Sequence, residues 1–146
     1  MTDATQAPRH TTRVRVCYGD TDQMGVVYYA NYLRWFEAAR SDWLRARGLP
    51  YSAIEAQGAL FPVSEAHVVY RQPARYEDEV AVACWPSQVR AASLRFEYEV
   101  RRGDVLLADG YTAHACVDRN GRPRRFPAGV RERLLGSDPT ATPPGR

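Results

Sequence analysis

Two hydrophobic periods divide this chain. Tyr32, Phe36, Ala39, Trp43 and Ala46 recur at spacings of four and three, the stripe of an amphipathic helix. Gly48 and Pro50 supply its stop signals, and residues 51–58 suit a short second helix. Elsewhere the period is two. Val14 and Val16 alternate with Arg13 and Arg15, and Leu94, Phe96, Tyr98 and Val100 alternate with Ser93, Arg95, Glu97 and Glu99. Such alternation predicts antiparallel strands with one buried face. Further strands are predicted over 61–71, 79–90 and 105–118. Arg102-Gly103-Asp104 reads as a tight hairpin turn and Asn120-Gly121 as another turn. Pro127 and Gly136 bracket a short terminal helix.

The order is one strand, a long helix, then four strands with short connections. Helices segregated to one face of an antiparallel sheet make an α+β domain. The expectation is a five-stranded antiparallel sheet wrapped around one long central helix. With 146 residues the chain fits one domain, and such a domain buries roughly 68–70% of its unfolded surface. Residues 1–10 and 137–146 lack apolar periodicity and are expected to be disordered, which leaves a single domain over 11–136.

Composition narrows the function classes. No stretch approaches the about 20 apolar residues of a membrane helix. The polar start lacks the apolar core of a secretory signal. Cys17, Cys84 and Cys116 are an odd, widely spaced set, as are His10, His67 and His114. Neither disulfide framework nor metal spacing is present, so reduced thiols in cytoplasm and no metal or cofactor are expected. All 20 basic residues are arginine, spread along helices and alternate strand positions rather than clustered with stacking aromatics. Nucleic-acid binding is therefore not expected.

The candidate chemistry lies between the first strand and the long helix, in Tyr18-Gly19-Asp20-Thr21-Asp22-Gln23-Met24-Gly25-Val26-Val27-Tyr28-Tyr29-Ala30-Asn31-Tyr32. A carboxylate beside exposed backbone N–H groups at a helix start has the parts for hydrolysing an activated carbonyl. It handles a proton or attacks, while the N–H groups stabilise developing negative charge. Capping and turn formation are the ordinary uses of such aspartates. Asp20 and Thr21 suit that role, and Gly25 suits a tight path with φ > 0. Tyr32 belongs to the apolar stripe. Glu37 has Arg34 and Arg40 three residues away, the spacing of ordinary surface pairs. Arg119, Arg122, Arg124 and Arg125 crowd the segment after the last strand, and arginine forks suit phosphate oxygens. Ser64 and Ser93 lack the context of an activated nucleophile.

The run Asp20-Thr21-Asp22-x-x-Gly25-Val26-Val27-Tyr28, followed by Asn31-Tyr32 and Glu37-Ala38-Ala39-Arg40, resembles the hot-dog-fold acyl-CoA thioesterases. It is most similar to the 4-hydroxybenzoyl-CoA thioesterase branch that includes the bacterial Tol–Pal-associated enzymes. The likeness spans about residues 12–127 and includes Tyr70-x-x-Pro73-x-x-Tyr76-x-Asp78. It implies a hot-dog fold, an acyl-CoA substrate, and Asp22 as nucleophile or as base for water. The Tyr29 amide then polarises the thioester carbonyl, with Gly25, Val27 and Asn31 around the substrate and Arg122 and Arg124 toward the coenzyme A phosphates. The resemblance also implies a homodimer with sites at its interface, or a homotetramer of such dimers. One departure stands out: Tol–Pal-associated members usually carry histidine where this chain has Tyr29. An ordinary phenol, with a pKa of about 10, does not replace imidazole in proton transfer near neutral pH. An acyl-carrier-protein substrate, a hot-dog dehydratase or hydratase and a non-catalytic acyl-CoA-binding module are the alternatives. The dehydratases and hydratases use a different acidic and histidine signature, which this chain lacks.

Overall fold

The computed structural model describes residues 7–136. Strand β1 (His10–Arg15) leads through a single 3-10 turn at Tyr18–Asp20 to helix α1 (Asn31–Ala46) and helix α2 (Tyr51–Ala56). Four strands follow: β2 (Val63–Tyr70), β3 (Glu79–Ser87), β4 (Ser93–Arg102) and β5 (Val105–Ala115). Helix α3 (Val130–Leu134) closes the described chain. All strand pairs are antiparallel, in the order β1-β3-β4-β5-β2. The α+β arrangement predicted from the sequence is the one observed.

Period decides which side chains meet. Leu94, Phe96, Tyr98 and Val100 of β4 are buried, and so are Val80, Val82 and Cys84 of β3. Helix α1 covers this face with Tyr32, Trp35, Phe36, Ala39, Trp43 and Leu44. Phe36 stacks flat on Tyr98, ring centres 4.0 Å apart and planes within 1°. The predicted stripe is corrected at its end. Ala46 is exposed, and Trp35 and Leu44 widen the buried face.

The chain ends are partly corrected too. β1 begins at His10, within the segment expected to be disordered, and Trp43 Nε1 donates to the Pro8 carbonyl at 2.8 Å. Residues 1–6 of that segment, and the tail 137–146, lie outside the described residues. The predicted third strand stops early, at Ser87, because Gln88 turns to φ +42°. The Gly103 turn between β4 and β5 has φ +58°, a region glycine enters without steric cost.

Candidate active site

The loop between β1 and α1 is tied by its own backbone. Asp22 N–H donates to the Val26 carbonyl at 2.9 Å, and Gly25 N–H to the Asp22 carbonyl at 3.0 Å. Gly25 has φ +79°, as such a compact turn requires, and a Cβ there would meet nothing within 4 Å. Its role is backbone conformation, not clearance within one chain. Asp20 is the knot beneath the turn. Its carboxylate accepts Cys17 N–H at 2.8 Å, and its carbonyl accepts Tyr28 N–H and Asn31 Nδ2, each at 2.9 Å. Thr21 Oγ1 donates to the Tyr18 carbonyl at 2.6 Å. Asp20, Thr21 and Asn31 thus shape the loop.

Asp22 is not a helix cap. The cap position of α1 is Ala30, with no side-chain bond, and the Asp22 carboxylate accepts the Met24 N–H of its own turn at 2.9 Å. Of the two ordinary uses of such an aspartate, capping and turn formation, the structure shows the turn. Asp22 and Tyr29 line one cavity of about 260 Å³ with Met24, Val26, Val27, Tyr32, Tyr70, Arg71, Gln72 and Pro73. Asp22 is the only carboxylate among those lining residues. Among the described residues no acceptor is bonded to the Tyr29 N–H, while the Tyr28 and Asn31 amides are engaged. Val27 is buried at the cavity wall.

Three phenols at or beside the cavity, those of Tyr28, Tyr32 and Tyr70, are held further from ionisation than an ordinary tyrosine. Burial raises the Tyr32 and Tyr70 hydroxyls, and a hydrogen bond with Tyr29 raises that of Tyr28. Tyr70 Oη donates to the Tyr29 carbonyl at 2.8 Å, and Tyr32 Oη accepts Ala74 N–H at 3.3 Å. Arg71 brings a positive charge to the rim while paired with Asp109 at 3.1 Å.

Sequence reasoning missed Tyr70, Arg71, Gln72 and Pro73 as cavity residues. Tyr70 and Pro73 belong to the motif Tyr70-x-x-Pro73-x-x-Tyr76-x-Asp78, but their approach to Asp22 is tertiary. Tyr32, read as core, is both core and cavity wall.

Other candidates lie apart from the cavity. Leu60, just before β2, bridges Val117, which bridges Pro123, so Arg122 and Arg124 flank the Val63 end of β2. Tyr70 and the Asp22 cavity are at the other end, about 24 Å along the strand. Arg124 donates to the Gln57 and Arg125 carbonyls at 3.1 and 3.0 Å, satisfying the end of α2, whereas Arg122 is exposed. Within one protomer neither arginine reaches Asp22. Glu37 pairs loosely with Arg40 at 3.8 Å, while Arg34 turns instead to Asp20, also at 3.8 Å. Glu37 lines a separate, larger cavity of about 450 Å³ with Arg40, Ser41 and His114. Among the described residues no His, Cys, Asp and Glu gather in a group that could hold a metal.

A turn carboxylate and an aromatic-walled cavity lie on an antiparallel sheet wrapped around one helix, the architecture of a hot-dog protein. Comparison with known proteins agrees. Residues 16–134 match the family described as the thioesterase-like superfamily, and the chain belongs to it. It is 36% identical to the acyl-CoA thioesterase YbgC of Haemophilus influenzae over 120 residues, covering 81% of this chain and 88% of that one. A structure from Thermus thermophilus superposes with a TM-score of 0.83 at 40% identity, covering 89% of this chain and 99% of the other. The DHNA-CoA thioesterase of Staphylococcus aureus superposes at 0.77 with 31% identity, over 80% of each chain.

Proposed function

We propose that this protein hydrolyses acyl-CoA thioesters to a free carboxylic acid and coenzyme A, with Asp22 as the reacting carboxylate. The observation that supports this most is that one largely apolar cavity is lined by both Asp22 and Tyr29, whose amide has no acceptor among the described residues. The thioester carbonyl oxygen takes the Tyr29 N–H. Asp22 then either removes a proton from water as it adds to the carbonyl carbon, or adds itself. In the first route the tetrahedral adduct collapses, the C–S bond breaks, and the thiolate takes up a proton. In the second the thiolate leaves first, and water hydrolyses the resulting acyl-aspartyl anhydride. An amide donor of this kind is worth on the order of 2.7–4 kcal/mol of barrier.

Strand β2 ends the sheet, and Val63 and Tyr70 on it are about half exposed. An unpaired edge of this length is a template for a second copy. Antiparallel pairing of two β2 edges sets the Val63 end of one beside the Tyr70 end of the other. Arg122 and Arg124 of the second copy then approach the cavity mouth, where coenzyme A phosphates need partners. A homodimer, or a tetramer of dimers, completes the site. No described helix is long and apolar enough to cross a membrane; we assign the enzyme to the cytoplasm, with its substrate.

The test is free-thiol release from short, long and aromatic acyl-CoAs by wild type and Asp22→Asn. Turnover that falls by at least ~10²-fold in the variant supports the reading. Equal rates remove Asp22 as the reacting group. No turnover by either protein moves the assignment to a carrier-protein substrate or a binding module. Protein that sediments as a monomer at micromolar concentration overturns the shared site.

A further inference from the structure

The segment joining β2 to β3 is tied to the end of β4 by an ion pair that the proposed chemistry does not use. Asp78 Oδ2 accepts Arg75 N–H at 2.9 Å, closing the 75–78 turn, and accepts Arg102 Nη1 at 2.8 Å. The same Arg102 nitrogen lies 3.3 Å from the Pro73 carbonyl. One guanidinium from the end of β4 therefore holds both ends of a six-residue strap, Pro73 to Asp78. Burial alone raises the Asp78 carboxyl, but the Arg75 N–H and the Arg102 charge outweigh it and hold the group ionised and below its usual range.

The strap grips the Asp22 loop. The buried Ala74 offers its carbonyl to Val27 N–H at 2.8 Å, and its own N–H goes to Tyr32 Oη. Arg75 Nη1 reaches the Gly25 carbonyl at 3.4 Å. Val27 in turn bridges Thr21, so the strap holds one half of the pair that closes the base of the Asp22–Val26 turn. Glu77 adopts φ +73°, a strained region for a residue with a side chain. Its N–H is held by the Val16 carbonyl at 3.1 Å and its carbonyl by Arg15 Nη1 at 2.8 Å. Strain sustained from both sides indicates a segment held in one shape.

We propose that Asp78 and Arg102 are positioning residues of the Asp22 site, acting through the Ala74 carbonyl on the Val27 amide. The proposal rests on the thioesterase reading of that cavity. Neither residue touches substrate; they set the angle from which Asp22 meets the thioester. A misplacement of about 1 Å is enough to cost ~10²-fold in rate.

The experiment compares Asp78→Asn, Arg102→Gln, the double variant and Arg102→Lys, with Arg101→Gln as control. Arg101 pairs with Glu99 at 3.5 Å and makes no bond to the strap. Each single variant is expected to lose roughly 10- to 100-fold in kcat with KM within about twofold. The double variant should lose no more than the worse single, because both act along one path. Lysine, keeping a charge at 102, should restore part of the loss. Amide exchange supplies a readout independent of turnover. Val27 should exchange at least ~10-fold faster in Asp78→Asn while Tyr98, in the centre of the sheet, stays protected. Folded variants with wild-type kcat and unchanged Val27 exchange overturn the proposal, as does a uniform rise in exchange at both amides. Wild type inactive on every acyl-CoA fails the thioesterase reading, whereas Val27 exchange still decides the strap.

Discussion

The Tyr70 hydroxyl donates to the Tyr29 carbonyl at 2.8 Å, so the end of an edge strand orients Tyr29, whose amide has no acceptor among the described residues. Tyr70→Phe removes that bond and little else. Such a bond contributes about 0.5–1.5 kcal/mol net, and this partly exposed one belongs at the low end. Urea unfolding should show a loss of about 1 kcal/mol or less. Steady-state kinetics should show kcat falling by more than KM rises, because the amide acts on the transition state.

His114 predicts how stability responds to acid. It is 2% exposed, and Nδ1 lies 3.1 Å from the Phe61 carbonyl, which only accepts. Nδ1 therefore carries the proton, and Nε2 accepts Thr112 Oγ1–H at 2.8 Å. Tyr98 Oη must then donate to Thr112 Oγ1, 2.6 Å away. The neutral ring satisfies this chain completely. Burial lowers the His114 pKa to about 4; the Phe61 bond opposes this and the Arg40 charge adds to it. An unfolded histidine titrates near 6.5, so between about pH 6.5 and 4 the unfolded chain binds the extra proton. Stability is full above that window and falls through it, by a total on the order of 3 kcal/mol. Urea midpoints measured from pH 7 to pH 4 should decline, and His114→Gln should flatten the slope over that range while lowering stability at pH 7.

Gly110 faces Val68 across the β2–β5 ladder, and a Cβ there would come within 2.0 Å of the His67 carbonyl oxygen. That oxygen is backbone and cannot swing aside. Gly110→Ala should cost about 3 kcal/mol, the upper end for an inserted methyl, and release β2 from the sheet edge. Thermal unfolding and the oligomeric state report it together, since the proposed dimer pairs through the same strand.

Cys17 is exposed, whereas Cys84 and Cys116 are buried. Burial also raises both buried thiols above the ordinary cysteine value, so they lack thiolate as well as access. An aromatic disulfide reagent should therefore titrate one thiol per native chain and all three in denaturant. More than one rapid equivalent in the native protein would contradict the packing of β3 and the end of β5.

What the sequence by itself determined is local. Periods of four and three placed α1, and a period of two placed β4, because a helix stripe and a pleated face each present apolar groups to one side. The Asp22–Gly25 turn was legible because glycine at φ > 0 and an aspartate accepting a nearby amide act within five residues. Tertiary structure decided what lies far apart in the chain. The order β1-β3-β4-β5-β2 places Tyr70 against Tyr29, 41 residues away, and separates Arg122 and Arg124 from Asp22. It also brought Arg102, at the end of β4, onto Asp78 and Pro73, so that a motif visible in the sequence became a held strap. Periodicity records which face is buried; which strands become neighbours depends on the packing of all faces at once.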